Sequence, residues 1–353
     1  MKKILKRFKL VQRLVSLIDY FGIYTVGKRK ITKNNIEKWL KVYEMDGIKK
    51  KQLKKLRIDI LYSMRRYGIK PHDYFFFDFI HKSDSGRKEY IGSQTWSNLT
   101  KRLSTDEAEA VFKNKYSCYL KFQPYFKREA VLIKSKEDRA AFLDFCGKHG
   151  KFIVKPLAGM QGQGVRLIEV SEFESDDALF QEVLGMGESI AEELIVQTRD
   201  MARLHPESVN TVRAVTIYWA GEVHLLYTSM RIGEGDSIVD NIGSGGLCVA
   251  VDTESGIISS KAVRENPNEG VLIHPQTGEQ IIGTKLPEWN ELLELVDKLA
   301  RVVPEHQIVG WDLAHTEKGW VIVEGNTNPA IYLGQMPAGC GFRTKVERIV
   351  GKL

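Results

Sequence analysis

The stretch "FIVKPLAGMQGQGVRLI" (residues 152–168) places a lysine on an apolar strand and three glycines in the short loop that follows. Glycines let backbone amides approach phosphate oxygens closely, because no side chain blocks the way. Lys155 supplies a positive charge, and Gly159, Gly162 and Gly164 supply the open backbone. We predict a hairpin that clamps phosphates, with a plain flexible hairpin as the alternative. Because the loop opens no helix, it is neither a Walker loop nor a dinucleotide fingerprint.

The stretch "GWDLAHTEKGWVIVEGNTNP" (residues 310–329) carries three oxygen-bearing side chains on two adjoining strands. Asp312 lies on the first strand, whereas Glu324 and Asn326 lie two residues apart on the second and therefore face the same side. An antiparallel pair would bring the three together, and such ligands suit Mg²⁺ bound with substrate phosphates. The alternative is a strand end with surface acids. Together the two stretches predict that the chain uses ATP and Mg²⁺.

The chain has 353 residues, of which 43% are hydrophobic, enough for two or three packed modules. No apolar run reaches the roughly 18 residues that a membrane span needs, and the N-terminus lacks the features of a signal peptide. The four cysteines are scattered, which fits a reducing compartment and argues against a disulfide framework or a zinc site. We therefore expect a cytoplasmic protein, with the inner face of the membrane as a second location.

The basic residues are concentrated at the N-terminus. Residues 1–70 hold 21 Lys and Arg against 5 Asp and Glu, a net charge of +16, which leaves −9 for the rest of the chain. Residues 2–24 place their apolar side chains at helical spacing between basic ones, which predicts a basic amphipathic helix. Such a helix contacts an anionic membrane or packs on the protein's own body, and both interpretations stay open. A basic patch also suits nucleic acid, but the sequence shows no nucleic-acid module.

The remaining periodicity gives a coarse map of the elements. Apolar spacing predicts helices over 35–67 and 286–304. A strand is predicted over 191–197 ("AEELIVQ"), and two strands with alternating residues flank a turn at Ala220-Gly221.

Eight blocks in order resemble those of the ATP-grasp enzymes, and more narrowly those of the sugar-transfer-associated ATP-grasp family found in bacterial polysaccharide gene clusters. The resemblance covers roughly residues 68–345 and rests on "NKYSCYL", "FIVKPLAGMQGQGV", "EELIVQ", "HPESVNTVRAVT", "MRIGEGDSIVDNIGSGGLCVAVD", "HPQTGE", "VGWDLAHTEKGW" and "VEGNTNP". It implies an α+β fold in which two α+β subdomains clasp ATP behind a mostly helical N-terminal extension. The implied segments are a basic helical extension (1–67), a pre-grasp segment (68–130), a lid subdomain (131–197) and a C-terminal subdomain with the magnesium site (198–353).

The resemblance also implies nucleotide-binding roles. Lys115 and Lys155 match the two nucleotide lysines, and the loop from Gly159 through Gly162 to Gly164 would close over the phosphates. Further matches are Glu192 for the adenine amino group, Leu194 and Ile195 for the base, and Asp200 for the ribose, although its spacing is slightly long.

The implied catalytic set comes from the C-terminal part of the chain. Arg213 and Arg231 match strand arginines that face the phosphate and the substrate, and a structural ion pair is the alternative for Arg213. The implied magnesium ligands are Asp312, Glu324 and Asn326; the implied γ-phosphate and substrate loop contains Asp240, Asn241, Ser244, Gly245 and Gly246. His274 is a further substrate candidate, or else a histidine satisfied within its own loop.

The activity that the resemblance implies is ATP-dependent carboxylate–amine ligation through an acyl phosphate. The product would be an amide between an amino acid or amine and a sugar acid, or another carboxylate, of a bacterial surface polysaccharide such as a capsule. A kinase with Asp240 as general base is one alternative. The other is a membrane-surface factor whose ATP site is regulatory. The sequence shows no Ser-His-Asp or Cys-His signature.

Overall fold

The computed structural model describes residues 2–24, 29–45, 47–158, 164–235, 240, 242–265 and 270–353, with only the backbone for 2–10 and 244. Contacts divide the chain into two compact units. The first contains residues 1–102, 263–270 and 330–353, and the second contains 103–262 and 271–329. This division places both sheets in one unit and does not test the four segments that the sequence suggested. Those segments stay a prediction.

Helices build the first unit. They are α1 (Lys2–Tyr24), α2 (Lys30–Val42), α3 (Lys50–Tyr67), α4 (Pro71–Phe76), α5 (Asp84–Lys88), α6 (Ser93–Arg102), α13 (Tyr332–Ala338) and α14 (Arg343–Val350). The helix expected over 35–67 is two helices, because the chain turns after Val42 with Glu44 at φ +51°. Buried aromatic side chains from α4 and the turn after it form the centre of this unit. Within the described residues, no helix combines the length and apolar character needed to cross a bilayer.

The second unit contains a four-stranded antiparallel sheet in the order β1-β4-β2-β3. Its strands are β1 (Ala130–Ile133), β2 (Lys151–Pro156), β3 (Arg166–Glu169) and β4 (Ser189–Glu193). Helices α9 (Arg139–Lys148) and α10 (Asp176–Gly185) cover one face with buried aromatic and aliphatic side chains. The predicted hairpin is confirmed, since β2 pairs antiparallel with β3 across the glycine loop. Of that loop, Gly159 and Gly162 lie outside the described residues, and Gly164 has φ +73°.

A five-stranded antiparallel sheet forms the rest of the second unit, in the order β7-β6-β5-β8-β9. Its strands are β5 (Thr211–Trp219), β6 (Glu222–Ile232), β7 (Leu247–Val251), β8 (Ile308–Thr316) and β9 (Gly319–Asn326). The helices of this part are α7 (Asp106–Lys113), α8 (Lys115–Phe126), α11 (Arg199–Ala202) and α12 (Trp289–Ala300). The expected turn at Ala220-Gly221 joins β5 to β6, and the predicted helix over 286–304 is α12 with shorter ends.

The strand predicted over 191–197 ends at Glu193, because the chain then leaves the four-stranded sheet for the other one. The Thr198 amide donates to the His315 carbonyl at 2.9 Å, and the ring of His315 lies 3.0 Å from the Thr198 hydroxyl. The other ring nitrogen of His315 lies 2.8 Å from the Glu288 carboxylate. Residues 194–198 therefore connect the two sheets, and we call them the hinge segment.

Candidate active site

Charged side chains line up across one face of the five-stranded sheet on neighbouring strands. The register pairs Arg213 of β5 with Asp312 of β8, and Asp312 with Glu324 of β9. Arg213 donates to both carboxylate oxygens of Asp312, with Nη2 at 2.8 Å from Oδ2. Arg231 of β6 donates to the same Oδ2 at 2.9 Å. Asp312 is fully buried, so its charge is held by two guanidinium groups.

These contacts determine the protonation of the two acids. Burial alone would raise the pKa of Asp312, but the charges of Arg213 and Arg231 lower it to about 2. Solvent reaches the side chain of Glu324, yet protein atoms crowd around it. This crowding and the charge of Asp312 raise the pKa of Glu324 above its usual value. Both arginines are thus paired with Asp312 in the free chain. A phosphate or carboxylate ligand would have to compete with Asp312 for them.

Asp240, which lies between β6 and β7 in the chain, closes the row. Its Oδ2 accepts from the Thr211 amide at 3.0 Å and from the Thr211 hydroxyl. Its Oδ1 lies 3.5 Å from Arg231 Nη2. Burial raises the pKa of Asp240, although these donors oppose the shift. The predicted loop thus reaches the arginine row through Asp240.

The three side chains of the predicted magnesium site lie close together. Asn326 Nδ2 lies 3.2 Å from Glu324 Oε1 and 3.4 Å from Asp312 Oδ2. A cation would need the amide oxygen instead, and a rotation of the amide by 180° supplies it. The set offers only oxygen donors, as Mg²⁺ prefers. Among the residues that the structure describes, no three His, Cys, Asp or Glu are grouped to hold a metal by themselves. This site would therefore depend on Asn326 and on ligand oxygens.

A second charged cluster lies on the four-stranded sheet, around the fully enclosed Glu192 of β4. Lys155 Nζ lies 3.2 Å from Glu192 Oε2, and Arg128 donates to the same oxygen through Nε at 3.0 Å and through Nη2. Burial would raise the pKa of Glu192, but the charges of Lys155 and Arg128 lower it to about 2. Glu192 is thus an anion held by two cations, and its predicted contact with adenine would have to involve Oε1.

Lys115 connects the two clusters electrostatically. It begins α8, and its Nζ donates to the Pro156 carbonyl at 3.0 Å. Burial lowers the pKa of Lys115, and so does the charge of Lys155, whereas the charges of Glu324 and Glu192 raise it. The predicted lysines and a predicted metal ligand therefore share one electrostatic environment.

A cavity of about 230 Å³ borders the hinge segment. Its wall consists of Phe126, Lys127, Arg128, Glu193, Leu194, Ile195, Val196, Thr316, Glu317, Lys318 and Val321. Leu194 and Ile195 belong to this wall, and their contact with a base stays a prediction. Asp200, the ribose candidate, is exposed on α11 and does not belong to this wall.

The other predicted site residues lie away from the two charged clusters or outside the residues that the structure describes. His274 is fully buried, with Nε2 2.9 Å from the Gly233 carbonyl and Nδ1 facing the amides of Gln276 and Thr277. This favours the alternative that it holds its own loop. Asn241 lies outside the described residues, as does the side chain of Ser244. Gly245 is exposed at φ +98°, and Gly246 is buried.

Arg128 is the site residue that the sequence reasoning missed. It is buried, and besides Glu192 it donates to the carbonyls of Ile322 and Val323 in β9. It therefore ties the four-stranded sheet to the five-stranded one. The sequence did offer one signal. Arg128 lies two residues before the apolar strand "AVLI", and a cation that is buried beside such a strand needs a partner.

Replacing Arg128 by Met should lower the free energy of unfolding by about 3–5 kcal/mol, because Glu192 loses a buried partner. Denaturant unfolding measures this. Arg139→Met is the matched control, since Arg139 pairs with the exposed Asp177 and such pairs contribute about 0–1 kcal/mol. Equal effects of the two substitutions would show that the Arg128 contacts do not stabilise the fold.

Comparison with known proteins gives structural and sequence matches. The chain is similar to D-alanine–D-alanine ligase from Helicobacter pylori, at 15% identity and TM-score 0.43 over 74% of this chain and 68% of that one. It is similar to D-alanyl-alanine synthetase A from Vibrio cholerae, at 15% identity and TM-score 0.41 over 73% and 68%. A third match is N5-carboxyaminoimidazole synthetase from Staphylococcus aureus with ADP, at 13% identity and TM-score 0.41 over 68% and 52%. At these values the structural similarities carry no argument about activity.

The sequence itself gives the decisive match. No curated protein matches the chain. The family described as sugar-transfer associated ATP-grasp matches residues 97–351, which is well over half of the chain and includes both sheets and both charged clusters. This confirms the resemblance and the α+β fold expected from it. The chain belongs to the sugar-transfer associated ATP-grasp family.

Proposed function

We propose that this protein is an ATP-dependent carboxylate–amine ligase that works through an acyl phosphate. The carboxylate would belong to a sugar acid, or to another acid, in bacterial surface polysaccharide biosynthesis. The amine would come from an amino acid or a related small molecule. Membership of the family supports the use of ATP, and its description as sugar-transfer associated supports a carbohydrate-linked acid.

The observation that carries this proposal is the pair of buried arginines beside the acid row. Arg213 and Arg231 converge on one carboxylate, Asp312, from two neighbouring strands. A guanidinium is a planar fork that binds carboxylates and phosphates equally well. These arginines hold the Asp312 carboxylate in the free chain, which supports a role in binding a substrate carboxylate and the γ-phosphate.

In the first step, a substrate carboxylate oxygen attacks the γ-phosphorus of ATP, and the bond from that phosphorus to the β–γ bridging oxygen breaks. ADP leaves and an acyl phosphate remains. Arg213 and Arg231 bind the carboxylate and the transferred group, while Lys115 and Lys155 face the phosphates. Mg²⁺ held by Asp312, Glu324 and Asn326 would neutralise phosphate charge.

In the second step, the amine attacks the acyl carbon and forms the C–N bond, and inorganic phosphate leaves with the oxygen that came from the carboxylate. The proton that the amine loses is taken up by the departing phosphate. The loop between β2 and β3 would exclude water, which otherwise hydrolyses the acyl phosphate. The adenine would occupy the cavity at the hinge segment, against Leu194 and Ile195.

The test combines Mg²⁺, ATP and pooled sugar acids with pooled amino acids and amines, and reads the products by mass spectrometry. We expect ADP, phosphate and a new mass equal to acid plus amine minus water. Omission of either pool should remove that mass. ADP release that never depends on both pools would contradict the proposal.

A kinase with a hydroxyl acceptor is the second candidate, and Asp240 is the observation in its favour. Its buried position raises its pKa, as suits a general base. However, Thr211 and Arg231 already engage its carboxylate. In the pooled assay, phosphate added to a single compound would establish the kinase in place of the ligase.

A further inference from the structure

Helix α1 presents its apolar face to solvent. Val11, Leu14, Ile18 and Phe21 are 58%, 58%, 63% and 52% exposed. Spacings of three and four residues place these side chains on one side of a helix. Four large apolar side chains on one face form a continuous patch, unlike scattered single exposures. We call this the α1 apolar face.

The opposite side of α1 packs on α3, and it does so with different residues. Ser16 and Ile23 are buried, and the Ser16 hydroxyl donates to the Gln12 carbonyl at 2.8 Å. A helix that docks only to stabilise its own fold normally buries its apolar stripe. Here much of that apolar stripe is exposed to solvent, which indicates that the α1 apolar face binds something other than its own fold.

Positive charge lies beside the α1 apolar face. Lys54 of α3 holds its Nζ 5.3 Å from the centre of the Phe21 ring, and Arg13 is exposed on α1. Asp19, the sole acid in the sequence of residues 2–24, pairs with Arg65 and Arg29. Residues 1–70 carry a net charge of +16, against −9 for the rest of the chain.

We propose that the α1 apolar face docks on an anionic lipid bilayer, with the helix lying in the interface. The apolar side chains would enter the boundary between headgroups and acyl chains, while the basic groups contact lipid phosphates. A second copy fits less well, since pairing through α1 would bring together two segments of the same high positive charge. Nucleic acid would bind the charges but leave Leu14 and Ile18 in water.

The test is cosedimentation of the full chain with vesicles of phosphatidylcholine, alone or mixed with phosphatidylserine, at low and high salt. We expect binding to the mixed vesicles that weakens as salt rises. Leu14→Glu should lower the partition coefficient by about tenfold or more, because a leucine that would enter the lipid is replaced by a charge that the lipid repels. Leu14→Gln removes the apolar contact without repulsion and should give a smaller loss.

Leu120→Glu is the matched control, because Leu120 is also a helical leucine that is 58% exposed, on α8 of the other unit. It should bind vesicles as the unchanged chain does. Circular dichroism checks that both glutamate variants keep their helices, and Leu14→Gln replaces Leu14→Glu if that variant loses helix.

Three kinds of result would overturn the proposal. The first is a vesicle result that disagrees with it: the unchanged chain does not bind mixed vesicles, or Leu14→Glu and Leu120→Glu bind them equally. The second is self-association in sedimentation velocity that Leu14→Glu abolishes without lipid binding, which would assign the face to a second copy. The third is tighter binding of duplex nucleic acid than of vesicles, unaffected by Leu14→Glu.

Discussion

The Glu324→Gln variant should lose ATP-dependent turnover by about 10²–10³-fold, the range seen when one preorganised charge or donor is removed from an active site. The substitution keeps the size of the side chain but removes the negative charge that a cation needs. Glu324 is solvent-exposed, and Asp312 repels it, so its neutralisation should leave the free energy of unfolding unchanged or slightly higher. ADP release and denaturant unfolding, measured on the same preparation, check both parts.

Glu305→Gln provides the control for this substitution. Glu305 is exposed, and it precedes β8 outside the charged clusters. The turnover of the Glu305→Gln variant should match that of the unchanged chain. If Glu324→Gln retains full turnover at every Mg²⁺ concentration, Glu324 is not a metal ligand and the proposed site is wrong.

The Asp312→Ala variant should be damaged in folding as well as in activity. Asp312 is fully buried and carries the hydrogen bonds of Arg213 and Arg231. Removing it leaves the buried Arg213 without this anion and Arg231 with Asp240 as its remaining close acid, and losing one partner of a buried pair costs about 3–5 kcal/mol. Thermal and denaturant unfolding should therefore show a large drop, and soluble yield should fall.

Two further variants separate the causes of that drop. Asp297→Ala removes an acid whose partner, Arg301, is exposed on the surface of the same unit, and should cost less than about 1 kcal/mol. Asp312→Asn keeps the shape of the side chain and one hydrogen-bond acceptor. Its loss of unfolding free energy should lie between the losses caused by Asp312→Ala and Asp297→Ala. A stability of Asp312→Ala equal to that of the unchanged chain would show that the arginine–aspartate network does not support the fold.

Much of the fold could be predicted because its sequence signals are local. The alternation around Ala220-Gly221 and the apolar periodicity of α12 are short-range patterns, and both elements formed as expected. The strand predicted over 191–197 failed after Glu193, since apolar residues there continue the pattern into the hinge segment. Contacts with a strand over 100 residues away, among them the bond from the Thr198 amide to the His315 carbonyl and the bridge between Gln197 and Thr316, redirect the chain.

The site was predictable as far as residue types allowed. Asp312 and Glu324 meet across β8 and β9 because the register shifts between Asp312 and Leu313; the pairing set by the short turn alone would place Asp312 opposite Val323. Arg128 carried no motif, and its contacts with Glu192 and β9 arise only when two sheets pack together. His274 shows another limit, because a motif does not reveal that one ring nitrogen faces its own loop and the other the Gly233 carbonyl; its substrate role stays a prediction.

The measurement that tests the proposed chemistry most directly is the fate of ¹⁸O from the substrate carboxylate. The pooled acids are exchanged with ¹⁸O, supplied with ATP, Mg²⁺ and amines, and the released phosphate is analysed by mass. An acyl phosphate predicts phosphate carrying one ¹⁸O atom, because the attacking carboxylate oxygen stays on phosphorus when the amine displaces it. Phosphate without ¹⁸O, or a stable phosphate ester, would contradict the ligase.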